Sequence, residues 1–461
     1  MKKALFLTSN ICILIILILG INTINAFNPF NLASLPSTAI KAEDSQEIIS
    51  PNEKINANYW IKENEKAKLM LKCANPNQEE ITRKWFVEAK FASDAPFFIF
   101  DAEEYGIGSY RVIGQCYLNG LTNKTQMYNV EVIGENDFSV IALPDTQYYS
   151  EYYPNIFTSQ TQWIKNYKDI LNIKFVSHEG DIVEVGSSTS NWENANTSMS
   201  ILDNILPYAI TTGNHDYDNL PNRTTTQWDF YLGKEKFQDN LWWGGSYEGD
   251  NINTYQFFAH GGIEFLMLHL EFCPRNQVLN WANNLVEENP NKIVIITTHV
   301  YLDAFGSRTH VGTEYGCSDY GFYENLEETN PQNGNEGREQ WNKLIKQHKN
   351  IYLVLCGHIS EGTGTAYLKT PGINNNEVHQ MLANYQEVEE NGGNGYLRIL
   401  RFSPQTNKVF INTYSPYQNH FKIQNNQKFN IEFYPNEYLP IQKSKKITST
   451  IYKFLKIMFS F

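Results

Sequence analysis

The sequence lacks a run of basic residues anywhere except near its C-terminal end. Its 461 residues include 50 Asp and Glu but only 37 Lys and Arg, so the formal net charge at pH 7 is −13. Proteins that bind the nucleic-acid backbone neutralise its phosphates with Lys and Arg. A broad interface with nucleic acid is therefore not expected, and the excess of acidic residues favours solubility.

The sequence also lacks a long uncharged apolar run, because the apolar stretch at residues 11–21 is short. This stretch follows Lys2 and Lys3, and the small residue Ala26 comes after it. Such a pattern is typical of a secretory signal peptide, which we predict at residues 1–26. An uncleaved membrane anchor is the competing interpretation, and the short core disfavours it. We expect no stable membrane span after cleavage.

Residues 27–135 contain no group of residues of the kind that binds a metal ion or carries out catalysis. Their strand-like runs, such as residues 68–73, 84–89 and 110–117, are separated by polar turns. Short strands at this spacing predict a small all-β domain, an immunoglobulin- or fibronectin-like β-sandwich.

Cysteine is scarce, with six in the chain. Cys73 and Cys116 both lie in strand-like runs, as a pair that joins two sheets does. In an exported chain we predict a disulfide between them, and two free buried thiols are the alternative. Cys273 and Cys317 flank later loops and are a second candidate pair. Cys356 lies in an apolar run and is expected to be an inert buried thiol.

Three acceptor triplets for N-glycosylation begin at Asn123, Asn196 and Asn222. They fit an exported glycoprotein if the host glycosylates. Triplets of this kind also arise by chance in an Asn-rich sequence, so both interpretations stay open.

From about residue 137 onward, strand-like apolar runs alternate with helical patterns, which lie at residues 161–167, 275–288 and 337–348. This alternation predicts an α/β domain whose sheet is covered on both faces. Residues 228–255 are rich in Trp, Tyr and Asn. They are interpreted either as a lid or substrate wall or as an ordered surface loop.

Five of the apolar runs end at residues that can bind a metal ion. In chain order these are residues 138–143 before Asp145 and Gln147, 173–178 before Asp181, 206–210 before Asn214, His215 and Asp216, 292–298 before His299, and 351–356 before His358. Chance produces one or two such coincidences easily but rarely five in order. The set therefore indicates a metal site that involves carboxylate, amide and imidazole ligands.

In these motifs the chain resembles the calcineurin-like metallophosphoesterases, over roughly residues 137–420. That family has Asp-x-His, Gly-Asp, Gly-Asn-His-Asp/Glu, a lone His and Gly-His-x-His around two metal ions. The likeness is greatest to a secreted subgroup with Asp-Thr-Gln in the first motif, as at Asp145-Thr146-Gln147. The resemblance implies a four-layer αββα sandwich with the ligands on loops at one end.

We therefore predict four segments. They are a signal peptide at residues 1–26, a β-sandwich domain at 27–135, a metallophosphoesterase catalytic domain at 136–420, and a closing strand with a C-terminal tail at 421–461.

The resemblance also implies roles for the residues at the strand ends. Asp181 resembles the carboxylate that bridges two divalent ions, with Fe, Zn or Mn expected. Asn214, His299 and His358 resemble the other ligands of one ion, whereas Asp145 and Gln147 belong to the other ion. In the same comparison, His215 resembles the residue that contacts the phosphoryl oxygen or protonates the leaving group. Asp216 resembles the carboxylate that orients the ring of His215.

Two imidazoles of the family pattern are missing, and both would serve the same ion. Gln147 stands in place of the first and Ser360 in place of the second, so that ion is expected to bind weakly. Glu361 is a candidate substitute ligand or a solvated side chain. Asn384 and Gln386 are expected either to line the site or to support the sheet.

The function implied is a secreted or lumenal phosphoesterase that hydrolyses small phosphomonoesters or phosphodiesters by attack of a metal-bound hydroxide. The sequence does not choose between the two ester classes. The alternative is an exported binding protein with a degenerate, structural metal site. The intact Gly213-Asn214-His215-Asp216 motif favours the enzyme, because a structural metal has no use for His215.

Overall fold

The computed structural model describes residues 57–73, 80–424 and 426–434. The predicted signal peptide at residues 1–26 and the tail after residue 434 lie outside the described residues. Among the helices that are described, none combines the length and the apolar character needed to cross a membrane.

The N-terminal region consists of strands around one apolar core. In chain order its elements are β1 (Ala57–Lys62), β2 (Lys66–Met70), β3 (Ile81–Val87), β4 (Lys90–Ser93), β5 (Phe97–Asp101), α1 (Ala102–Tyr105), β6 (Gly108–Leu118) and β7 (Leu121–Ile133). A five-stranded sheet with the order β1-β7-β6-β3-β4 packs with the two-stranded sheet β2-β5. Trp85, Phe100 and Tyr128 are buried between them, which confirms the predicted strand-rich domain.

The disulfide between Cys73 and Cys116 is present, as predicted, and joins the segment after β2 to β6. The second predicted pair, Cys273 and Cys317, is also bonded. Cys356 is a buried free thiol, in agreement with its interpretation as inert.

The remaining elements alternate between strands and helices as the sequence predicts. They are β8 (Phe138–Leu143), α2 (Gln147–Glu151), α3 (Pro154–Tyr167), β9 (Ile173–His178), α4 (Thr189–Met199), β10 (Tyr208–Ile210), α5 (Thr226–Leu232), β11 (Trp243–Ser246), β12 (Thr254–His260), β13 (Ile263–Leu270), α6 (Asn276–Glu288), β14 (Ile293–Thr298), α7 (Gly337–Lys343), β15 (Ile351–Cys356), β16 (Thr365–Pro371), β17 (Glu377–Ala383), α8 (Glu390–Gly393), β18 (Leu397–Ser403), β19 (Lys408–Ser415), β20 (His420–Lys422) and β21 (Lys428–Glu432).

Two seven-stranded sheets form the middle of this domain. The first has the order β10-β9-β8-β18-β19-β20, with β21 also paired to β19. The second has the order β11-β12-β13-β14-β15-β17-β16. Neighbours β8, β9 and β10 are parallel, and so are β13, β14 and β15. In each sheet the loops that follow these strands therefore leave from a common edge.

Three apolar layers explain why the strands are buried on both faces. On β8, Val140 and Ala142 belong to the core between the two sheets. The alternate residues Ile141 and Leu143 belong to the core shared with α3 and α4. Helices α6 and α7 cover the outer face of the second sheet in the same way. The domain is thus a four-layer αββα sandwich, as predicted, because side chains alternate across each strand and both faces of each sheet are covered.

Residues 228–255, interpreted above as a lid, a wall or a surface loop, are largely packed on the domain. Trp228 is buried in the core beside α4, and Trp243 stacks on Phe237. Strand β11 extends the second sheet by pairing with β12. This packing is that of an ordered edge of the domain and not of a free-standing lid.

The strands before β8 are attached to the sandwich by buried contacts. Trp60 on β1 contacts the rings of Trp163, Tyr167, Tyr414 and Phe421. These contacts join the two predicted domains, whose boundary between residues 135 and 136 stays a prediction.

Candidate metal centre

Asp181, His299 and His358 come together where the loops after β9, β14 and β15 meet. One ligand atom from each lies within 4.8 Å of the others. The Nε2 atom of His299 is 3.0 Å from a carboxylate oxygen of Asp181 and 3.1 Å from Nδ1 of His358. A carboxylate and two imidazoles at these separations form a donor set that suits a divalent transition metal.

The backbone around Asp181 leaves no room for additional side chains. Asp181 has a φ of 48°, and Gly180 before it has a φ of 99°. A Cβ atom on Gly213 would lie 2.0 Å from an Asp181 carboxylate oxygen. The backbone N–H of His215 donates to the same carboxylate at 2.9 Å. Glycine at position 213 is therefore required for the close approach of the two loops.

Asp145 is buried beside this group and belongs to it geometrically. Its carboxylate accepts a hydrogen bond from the backbone N–H of His358 at 3.0 Å and lies 3.9 Å from Nε2 of His299. A Cβ atom on Gly357 would come within 2.2 Å of it. Burial, together with the negative charge of Asp181, raises the pKa of Asp145 to about 7.

Backbone carbonyls determine which ring nitrogen each imidazole presents. Nδ1 of His299 donates to the carbonyl of Glu179 at 2.8 Å, so Nε2 faces Asp181. Nε2 of His358 donates to the carbonyl of Tyr315 at 2.8 Å, so Nδ1 faces His299. Partners of this kind fix the tautomer of metal-binding histidines.

The charges in this group are balanced against one another. Burial lowers the pKa of His299, but the charge and hydrogen bond of Asp181, together with the charge of Asp145 and the Glu179 carbonyl, outweigh burial and raise the pKa to about 9. Burial and the positive charge of His299 lower the pKa of His358 to about 3. A bound cation can take the place of the proton that His299 otherwise holds between two carboxylates.

Two further predicted ligands have buried amide oxygens that lack a hydrogen-bond partner among the described residues. These atoms are Oε1 of Gln147 and Oδ1 of Asn214, and both residues are buried. Buried polar atoms are nearly always satisfied, so an orphaned amide oxygen requires an explanation. A divalent cation bound to these oxygens supplies one. The residues present therefore fit the two-ion centre that the resemblance implies.

His215 is half-buried and lies beside this group. Its Nδ1 donates to the carbonyl of Glu184 at 2.7 Å and lies 3.6 Å from the Glu184 carboxylate. Burial lowers the pKa of His215, whereas the charge of Asp181 and the hydrogen bond to the Glu184 carbonyl raise it. The raising effects are larger in total, so the net shift of this pKa is upward.

Asp216 makes other contacts than those predicted. Its carboxylate accepts hydrogen bonds from the backbone N–H groups of Ile182, Val183 and Gly213, at 2.8, 3.1 and 2.7 Å. Glu184 makes the contact that orients the His215 ring. Asp216 does not contact this ring, because its carboxylate points toward the loop backbone. A direct role for Asp216 in the chemistry stays a prediction without a contact to support it.

The residues near the two missing imidazoles also have defined contacts. Glu361 is exposed, which favours its interpretation as a solvated side chain. Ser360 donates to the carboxylate of Glu387 at 2.8 Å. Asn384 donates to the carbonyl of His358 at 2.8 Å and so supports the ligand loop, whereas Oε1 of Gln386 is another orphaned buried amide oxygen.

Sequence reasoning missed Glu184 and Tyr315. Both act on an imidazole through a backbone carbonyl, which every residue possesses, so their residue types carried no signal. Phe272 and Tyr320, whose rings contact His358, were missed because an isolated aromatic residue in a loop is common.

Residues 138–362 match the family model for calcineurin-like phosphoesterases. The chain is 32% identical over 288 residues to YvnB of Bacillus subtilis (strain 168), and this match covers 61% of the chain. It covers 20% of YvnB, so the chain spans about a fifth of the length of that relative.

Two solved structures are also similar. The purple acid phosphatase PPD1 from yellow lupin (Lupinus luteus) seeds has a TM-score of 0.41 and 12% identity, covering 80% of this chain and 72% of that one. TT1561 of Thermus thermophilus has a TM-score of 0.32 and 12% identity, covering 63% of this chain and 99% of that one.

Proposed function

We propose that the protein is an exported, metal-dependent hydrolase of small phosphate esters, and the premise is that residues 138–362 match the family model for calcineurin-like phosphoesterases. The observation that carries the proposal is the convergence of Asp181, His299 and His358 with a half-buried imidazole, His215, beside them. The ligands provide a place for cations, and the imidazole provides a proton donor.

The residues that would hold the ions divide into two sets. Asn214, His299 and His358 would hold one ion, Asp145 and Gln147 the other, and Asp181 both. When bound, two divalent ions neutralise charge on the phosphate and lower the pKa of the attacking water. The orphaned oxygens of Gln147 and Asn214 support this division. Fe, Zn and Mn all suit ligands of these types.

His215 would serve the substrate directly. Because its Nδ1 donates to the Glu184 carbonyl, its Nε2 is the nitrogen left to contact a phosphoryl oxygen or to protonate a leaving group. The hydrogen bond from its backbone N–H to Asp181 fixes the position of the ring relative to the ligands. The upward shift of its pKa favours the protonated form that a proton donor needs.

The proposal is tested with a panel of substrates and metals. Protein freed of metal with a chelator is assayed against p-nitrophenyl phosphate, bis(p-nitrophenyl) phosphate and natural mono- and diesters, with Zn²⁺, Mn²⁺, Fe²⁺ or Mg²⁺ added back. Hydrolysis that returns with an added ion supports the proposal and identifies the ester class. Binding of zinc without hydrolysis of any ester would instead support an exported protein with a structural metal site.

Export is the part of the proposal that the disulfides support, since such bonds persist in oxidising compartments. We expect cleavage after Ala26. The intact mass of protein collected from the medium, before and after alkylation of thiols, tests this expectation. A retained leader would contradict it.

A further inference from the structure

The disulfide between Cys273 and Cys317 lies in a small buried cluster next to the candidate metal centre. Both cysteines are fully buried, together with Phe272, Val300 and Phe322. This cluster is separate from the three apolar layers of the sandwich, so the long loop after β14 has its own small core.

Residues on the Cys317 side of the disulfide hold the ring of His358. The carbonyl of Tyr315, two residues before Cys317, accepts the hydrogen bond from Nε2 of His358 at 2.8 Å. Tyr320, three residues after Cys317, places its ring 5.5 Å from the His358 ring, measured between centroids. This turn fixes the ring nitrogen that faces the other ligands.

The Cys273 side supports the same ring from the other direction. Phe272 lies 5.9 Å from the ring of His358, 6.0 Å from that of His299 and 5.4 Å from that of Tyr320, measured between centroids. The disulfide thus joins the two chain segments between which His358 is held.

The turn that carries the Tyr315 carbonyl is not relaxed. Tyr315 has a φ of 59°, in the left-handed region that non-glycine residues avoid. Such a conformation persists only where the surrounding structure holds it. The hydrogen bonds of Arg223 to the carbonyls of Phe272 and Cys273 anchor the Cys273 side. The Cys273–Cys317 disulfide connects this anchored segment to the turn at Tyr315.

We infer that the Cys273–Cys317 disulfide is a positioning element for the metal centre, because it holds the Tyr315 turn that presents Nδ1 of His358 as a ligand. The inference rests on the proposed function, since His358 is a ligand only if a metal binds there. It assigns to this bond an effect on metal affinity beyond its effect on stability. The two disulfides found among the described residues should therefore differ in what their removal does.

The affinity for zinc, measured by competition with a chromophoric chelator, tests the inference. We expect Cys273→Ala/Cys317→Ala to bind the tighter equivalent of zinc about 10–100-fold more weakly, the usual effect of losing a contact that orients a ligand. The absorption spectrum of the cobalt-substituted protein should change as well. Cys73→Ala/Cys116→Ala is the matched control, and should melt at a lower temperature with unchanged zinc affinity.

A double-mutant cycle with His358→Ala separates positioning from general loosening. If the disulfide acts through His358, its removal should weaken zinc binding little further in the His358→Ala protein. An equal loss in both backgrounds, or unchanged affinity in the first variant, would overturn the inference.

Two precautions keep the outcomes separate. If the alanine pair does not fold, Cys273→Gly/Cys317→Val replaces it, because Cys273 has a φ of 48° and valine refills part of the buried volume at position 317. Wild-type zinc binding and hydrolysis are measured in parallel. Zinc binding without hydrolysis would end the proposed function but leave the inference to be decided by the cycle.

Discussion

At the scale of single residues, the loop that carries His215 is shaped by a carboxylate that does not touch the ring. The side chain of Asp216 accepts hydrogen bonds from the backbone N–H groups of Ile182, Val183 and Gly213, and so holds the two loops together. Burial, together with the negative charge of Asp181, raises the pKa of Asp216 to about 8, so its hydrogen bonds are treated as ordinary ones, which contribute about 0.5–1.5 kcal/mol each to stability. The Asp of the Gly-Asn-His-Asp motif therefore has a physical role in placing its neighbours, in addition to any role predicted in the chemistry.

The role of His215 predicts the behaviour of two substitutions. His215→Ala should lower turnover by roughly 10²- to 10⁴-fold, the range expected when a general acid is lost. Its metal content should stay unchanged, because the backbone N–H that contacts Asp181 remains. Asp181→Asn should instead lose metal, since the carboxylate lies among the ligands. Steady-state kinetics and elemental analysis of both proteins provide the test. Near-normal turnover in His215→Ala would mean that the Gly-Asn-His-Asp motif is a polar turn without a role in catalysis.

Because Gln147 stands where the family pattern has a histidine, we expect the two ions to bind with unequal affinity. In the proposed division, the ion held by Gln147 would be surrounded mainly by oxygen, whereas the other ion would have two imidazoles. Oxygen ligands suit harder ions and hold zinc less tightly. The protein should purify with nearer one ion than two, and added Mn²⁺ or Mg²⁺ should raise activity.

Gln147→His should strengthen the weaker site, which titration with activity as the readout can measure. Gln162→His, the same substitution at a partly exposed position on α3, is the control and should have no effect. Two tightly held equivalents in the unchanged protein would show that another ligand completes the site. Gln386, with its orphaned oxygen, would be the first candidate.

At the scale of elements, the ligand loops can approach one another only where a side chain is missing. Gly213 has an ordinary φ of −96°, so its backbone is not strained, yet a Cβ atom there would collide with Asp181. Gly213→Ala should therefore displace Asp181 and remove metal and activity together. Gly312 has a φ of 88° but open space around it, so Gly312→Ala should cost about 1 kcal/mol of stability and keep the metal. Equal metal content in the two variants would contradict this account.

The elements that were predictable are those with uniform surroundings. Strands β8 and β15 are buried over all six residues because both faces are covered, and all of these residues except Ser139 are apolar. Residues that can bind a metal ion follow where each of these strands ends. The order of the candidate metal ligands along the chain could therefore be predicted from the sequence. The orienting carbonyls of Glu184 and Tyr315 could not, because they depend on how loops fold back and not on side-chain type. The packed segment around Trp228 was ambiguous for a related reason: its aromatic residues suit a core and an open loop equally.

At the scale of the whole molecule, a buried network joins the N-terminal strands to the αββα sandwich. Arg401 on β18 donates to the carbonyls of Gly108 and Val132, and forms ion pairs with Asp137 at 2.6 Å and Glu131 at 3.3 Å. The guanidinium also stacks on a neighbouring ring, that of Phe410. Arg401 and Asp137 follow the predicted boundary, whereas its other partners, Gly108, Glu131 and Val132, precede it. The two domains are therefore expected to unfold together.

Arg401→Met tests this coupling. Removing one member of a buried charge network leaves its partners unpaired and costs about 3–5 kcal/mol. Arg401→Lys should lose less, because it keeps the charge but not the planar fork of donors. Thermal unfolding followed by circular dichroism should show a lower midpoint for both variants. The control Arg338→Met, at an exposed position, should melt as the unchanged protein does.

The same substitution separates stability from chemistry. Arg401 pairs in register with Ser139, at the start of β8, whereas Asp145 follows the other end of that strand. Well below its melting temperature, Arg401→Met should therefore keep its metal and its turnover, because the ligand loops lie at the far edge of the sheet. If the network couples the domains, the variant should also unfold in two steps, with the β-sandwich opening first and limited proteolysis cutting near residue 135. A single transition with an unchanged midpoint would mean that the aromatic contacts of Trp60 are sufficient to hold the domains together.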